Sequence, residues 1–150
     1  LRRFTSRIAA LAAAAALALS MGPSALAEQS DAHRTDAPAY FVFTDITREE
    51  AVLQLDDPAK IQHARDLIAG VTQDRPHVMG KIIKRQAPYN PRWSYHYNPE
   101  TVDFFDLAIE VCDATLPYVE DHLDEAGGAF LPGLYWCPWT SRLIREVPPQ

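Results

Sequence analysis

The opening twenty-seven residues constrain this chain more than any other feature, because they read as an export signal. They stand apart from the fold and place the remainder in an oxidising compartment. Arg2, Arg3 and Arg7 form a cationic start, Ile8 to Leu19 an apolar stretch, and Ala25-Leu26-Ala27 the small residues that a signal peptidase accepts. Cleavage after Ala27, and hence secretion, is expected. The apolar run falls short of the roughly twenty residues that a membrane helix needs, and Ser20, Gly22 and Pro23 prevent its continuation. No membrane attachment is expected after cleavage.

Residues 28–150 then number 123, the size of one domain with one core. This stretch keeps eleven of the fourteen Lys and Arg and all twenty Asp and Glu, a net charge of −9. An acidic chain is repelled by phosphate backbones, so nucleic acid and anionic membrane surfaces are not expected partners. The most basic stretch, Lys81 to Arg92, interleaves its cations with apolar residues and reads as the wet side of a strand.

Residues 28–38 are polar and aperiodic and read as a flexible leader, with a single domain over 39–150. Tyr40-Phe41-Val42-Phe43 and the alternation about Ala51, Leu53 and Leu55 read as two strands. Asp57-Pro58 is a cap followed by proline at the first helical position, and the helix runs to Ala69 and stops at Gly70. Ile61, Ala64, Leu67 and Ile68 share its apolar face. A strand is expected over residues 77–85, with Gly80 marking a close approach. Trp93-Ser94-Tyr95-His96-Tyr97 alternates, its aromatics to one side and Ser94 and His96 to the other. A returning strand over 102–112 changes apolar phase at Phe104-Phe105, which a β-bulge would reconcile. A second helix, capped by Asp113 or Thr115, is expected over 116–126, ending at Gly127-Gly128, and residues 143–147 as an edge strand. The expected fold class is α+β: a mainly antiparallel sheet with two helices packed on one face, closed by one disulfide.

In an exported chain, Cys112 and Cys137 read as that disulfide, and neither has the neighbouring cation that would activate a thiol nucleophile. No hydrolase elbow, zinc-protease pair, phosphate loop or calcium loop is present. The acids of residues 120–125 lie on an expected helix, where neighbours point apart, so they read as a solvated face. Two constellations remain. With the bulge, His96, Glu110 and Cys112 share the face opposite the aromatics, and the disulfide ties Trp136-Cys137-Pro138-Trp139 across it. A His–Glu pair there is a hydrogen-bonded pair, an acid/base dyad or half of an incomplete metal site. The other constellation is aromatic, with Trp93, Tyr135, Trp136 and Trp139 serving as core or as interface anchors, and at least one of Trp136 and Trp139 expected at the surface. No metal or cofactor is expected.

The stretches Leu55 to Arg65, His77-Val78-Met79-Gly80, Tyr89 to His96, Ala108 to Ala114 and Trp136 to Trp139 together resemble the small domain of bacterial secreted proteins that bear the name calmodulin-binding. The name comes from a slime-mould calmodulin-binding protein with a similar amino-terminal domain. The resemblance spans Tyr40 to Val147 and brings no catalytic residues with it. A calmodulin target is typically a basic amphipathic helix; the helices expected here are mixed in charge and acidic, so calmodulin is not an expected partner. The reading is a secreted, non-enzymatic binding module for an extracellular protein, such as a protease, or a small ligand. The alternative is a small secreted hydrolase or metal-dependent enzyme using His96 and Glu110.

Overall fold

The computed structural model describes residues 37–108 and 110–149. The export signal, the leader up to residue 36 and Ile109 lie outside the described residues. In chain order the strands are β1 (Ala39–Thr44), β2 (Glu50–Leu55), β3 (His77–Ile83), β4 (His96–Tyr97), β5 (Asp103–Phe105), β6 (Ala126–Gly127), β7 (Phe130–Pro132), β8 (Tyr135–Trp136) and β9 (Arg142–Val147). The helices are α1 (Pro58–Ala69) and α2 (Leu116–Asp121), with 3-10 turns at Pro99–Thr101 and Glu110–Cys112.

The architecture is α+β and mainly antiparallel. β1 is central in one sheet, paired with β2 in a hairpin that sets Phe41 opposite Leu53, and with β9 on its other side. β3 pairs antiparallel with β4, β5 and β8, and β6 and β7 form a short parallel pair. The main core brings the two larger sheets together: Phe41, Phe43, Leu53 and Leu55 from one, and Val78, Ile82, Tyr97 and Trp136 from the other, are all buried in it. Both helices contribute, with Ile61 and Ala64 from α1 and Leu116 and Val119 from α2. Among the described residues no helix is long and apolar enough to cross a membrane.

Local chemistry explains the boundaries of α1. The Asp57 carboxylate accepts from the Ala59 and Lys60 amides, and Gly70 leaves the helix at φ 72°, where a side chain would be strained. At Gly80 a Cβ would stand 3.1 Å from the Thr101 carbonyl oxygen and 3.2 Å from Tyr97, the close approach its position in the strand implied.

Three expectations are corrected. The strand over 102–112 is three residues long, and no bulge interrupts it. Phe104 and Phe105 pair regularly with Val78 and His77. The change of phase reflects burial on both faces, Phe104 in the main core and Phe105 in a smaller cluster around the disulfide. The strand expected from Trp93 pairs with β3 only at His96 and Tyr97. Before it, Tyr95 is held by bonds from its hydroxyl to the Leu116 carbonyl and from the Asn90 amide to its own carbonyl. The second helix stops at Asp121 rather than near Gly127. His122 closes it, its ring stacked 4.0 Å from Tyr118 and its Nδ1 on the Tyr118 carbonyl. Thr115 makes no cap bond; the Leu116 amide is met instead by Asp45 Oδ2, at 2.6 Å.

Candidate functional site

Residues 110–114 and 136–139 are laced together. Cys112 and Cys137 form the disulfide, the Cys137 amide donates to the Cys112 carbonyl at 2.8 Å, and the Trp139 amide donates to Asp113 Oδ1 at 2.9 Å. The Trp136 indole adds a bond to the Ala114 carbonyl at 2.8 Å. Phe105 and both cysteines form the small cluster at this junction, with Met79, Ala108 and Trp139 packed on it. Its outer side is an apolar cleft of about 400 Å³ lined by Met79, Leu107, Ala108, Val111, Cys112, Pro132 and Tyr135. Leu107 is 87% exposed and Val111 57%. Behind Pro132 and Tyr135, Leu131 and Leu134 hold positive φ, an unfavourable conformation for leucine, so this wall is fixed by its surroundings.

The six aromatic and ionisable residues singled out by the sequence divide between two places. Trp136 is 1% exposed and stacks on Tyr97 at 4.8 Å, so it belongs to the core. Trp93 is buried too, its Nε1 on the Glu50 carbonyl at 2.9 Å. His96 is 7% exposed, its Nδ1 lies 2.7 Å from the Arg85 carbonyl, and its ring meets Tyr89 edge-on. Tyr135, Trp139 and Glu110 are at the disulfide: Tyr135 lines the cleft, Trp139 is half-buried on the cluster, and Glu110 is exposed in the turn leading to Cys112.

The shared face of His96 and Glu110 is not formed. His96 pairs opposite Ile83 at one end of β3, whereas Glu110 comes after β5, which pairs at the other end. With the bulge absent, nothing brings the imidazole and carboxylate together. Among the described residues no group of three or more His, Cys, Asp and Glu side chains is placed to hold a metal ion. Burial pushes the Tyr89 hydroxyl up to about 12, and those of Tyr95 and Tyr97 further.

Sequence reading missed the cleft because Leu107 and Val111 fit the inward phase of a long strand that does not form. It also missed Asp45, whose Oδ1 accepts from the Thr47 amide at 2.8 Å while Oδ2 meets α2. The signal was present: Asp-x-Thr in a tight connection is an Asx-turn pattern.

Charge is distributed unevenly about the cleft. Residues 93–141, which supply all of its lining except Met79, contain nine Asp and Glu and no Lys or Arg. Of these nine, among the described residues, only Asp103 has an ion-pair partner, Lys60 at 3.8 Å.

Fold, disulfide and cleft define the class: a small, disulfide-closed α+β domain with a solvent-facing apolar cleft. The chain belongs to the family defined by the N-terminal domain of a Dictyostelium calmodulin-binding protein, and the family model matches residues 37–150. Comparison with curated proteins and with solved structures returned no match.

Proposed function

We propose that this domain is an exported, non-enzymatic binding module whose binding face is the apolar cleft over the Cys112–Cys137 disulfide. The exposure of Leu107 and Val111 on its rim carries the reading. Full burial of an aliphatic side chain is worth about 1.5–3 kcal/mol, so a partner covering these two gains energy that the isolated domain forgoes. The disulfide and the Trp139–Asp113 bond hold the walls before a partner arrives, which lowers the entropy lost on binding. Export, read from residues 1–27, makes the partner extracellular, a protein such as a protease or a small ligand. Calmodulin does not fit this role. α2 has no Lys or Arg, and α1 sets Lys60 and Arg65 against Asp66, so neither is a basic amphipathic helix.

Indole, a small aromatic probe, tests the face by amide and methyl NMR on the oxidised domain. Shifts are expected to cluster at Met79, Leu107, Val111 and Tyr135. Shifts scattered over the surface, or confined to another region, would remove the cleft as the binding face.

A further inference from the structure

We infer that the cleft's occupant is a basic polypeptide segment presenting an apolar anchor between lysines or arginines. This rests on the cleft being the binding face. At about 400 Å³ the cleft is small for a ligand pocket, the usual range being roughly 300–1,000 Å³. It suits one or two anchoring side chains, with the flanking residues of the segment lying over the rim. The rim is anionic. Asp106, Glu110 and Asp113 are exposed, and each is next in sequence to a cleft residue, Leu107, Val111 and Cys112 respectively. Against these three stands Lys81, paired opposite Tyr135. Arg75 does not neutralise Asp106: it donates its backbone amide there, while its side chain pairs with Asp74.

Like charges near an apolar patch select the partner's flanks. An acidic segment meets repulsion at the rim, a neutral one leaves the carboxylates without compensation, and a basic one gains attraction while its anchor is buried. The net charge of −9 for residues 28–150 extends the same preference to the approach of the partner.

Three synthetic peptides separate anchor from charge: one with leucines between lysines, one with glutamate for every lysine, and one with serine for every leucine. Binding to the oxidised domain is read by fluorescence anisotropy, and the location by NMR. The Leu/Lys peptide is expected to bind with shifts at Leu107, Val111 and Tyr135, and each of the other two at least about tenfold more weakly. Glu110→Lys is expected to weaken the Leu/Lys peptide and so is added salt, because charges separated by more than about 10 Å are screened at 0.1 M. Leu107 is exposed, so Leu107→Ser is expected to fold normally and to weaken that peptide as well. Equal binding of the Leu/Glu peptide at the cleft would overturn the charge inference and leave the cleft standing. Binding of the Leu/Lys peptide away from Leu107, indifferent to Leu107→Ser, would overturn the cleft itself. No binding by any peptide would overturn the inference of a basic segment.

Discussion

A buried carboxylate with no cation beside it is costly unless hydrogen-bond donors surround it, and Asp45 is 4% exposed with donors on both oxygens. One oxygen closes the β1–β2 turn and the other caps α2, so a single side chain fixes two elements far apart in sequence. Asp45→Ala leaves the Leu116 and Thr47 amides without that acceptor and is expected to cost about 2–3 kcal/mol in urea unfolding. Asp45→Asn keeps one acceptor and should cost less; equal losses would show that the acceptor count is irrelevant. Two tryptophans three positions apart behave differently. Trp136→Ala empties a core site and should cost about 3–5 kcal/mol. Trp139 is half-buried and its Nε1 has no hydrogen-bond partner among the described residues, so Trp139→Ala should cost only about 1 kcal/mol. Melts that collapse equally would place Trp139 in the core.

At the scale of elements, β9 is an edge strand fastened on two sides by side chains. Glu146 accepts Arg65 of α1 through both oxygens at 2.7 and 2.9 Å, and Arg145 reaches Glu50 of β2. Hydrogen bonds from these guanidiniums hold both carboxyls below their ordinary values, against an opposing shift from desolvation. A lowered carboxyl pKa stabilises the fold above the ordinary value near 4.5, and that contribution is lost as pH falls through the lowered one. β9 is therefore expected to loosen in acid before β2 does. Both pairs are exposed, so the effect is local and small. Amide resonances of residues 143–147 should broaden or move below that pH while those of β2 persist; simultaneous change in both strands would show that the pairs do not govern the edge. A second element effect concerns β3, where Gly80→Ala thrusts a methyl against the Thr101 and Val102 backbone and should cost about 1–3 kcal/mol.

For the whole molecule, the disulfide and the buried tyrosines set the conditions under which the domain persists. Replacing Cys112 and Cys137 together opens a link spanning 25 positions and should cost about 2–5 kcal/mol. The cluster of Phe105, Met79, Ala108 and Trp139 should loosen first, because the disulfide is at its centre. Leu107 and Val111 resonances changing before those of Phe41 and Leu53, as denaturant is raised, is the expected sign. Alkali acts on the other core. A tyrosine whose folded pKa is raised stabilises the fold below its ordinary value near 10, and the contribution is lost as pH climbs beyond it. Tyr95 and Tyr97 should ionise only as the domain unfolds, so absorbance and circular dichroism transitions coincide. Their ionisation in a still-folded domain would contradict the burial.

Local signals were legible in the sequence where the determining atoms are close along the chain. Asp57, Pro58 and Gly70 delimit α1 because a cap and a left-handed stop act within a turn. Tyr40 to Phe43 and Ala51 to Leu55 form β1 and β2 because alternation records which face is buried. Two cysteines in a chain read as exported left one pairing, and that pairing is observed. The length of β5 and α2, the separation of His96 from Glu110, and the cleft depended on contacts between distant segments. An apolar residue in sequence does not disclose which body buries it: Phe104 and Phe105 entered different cores, and Leu107 and Val111 entered neither. Nor could local reading find that α2 begins on a carboxylate 71 positions upstream. Residue spacing therefore determined the helix, the hairpin and the disulfide, whereas the tertiary structure decided which apolar side chains face solvent, because that depends on surfaces supplied by the rest of the chain.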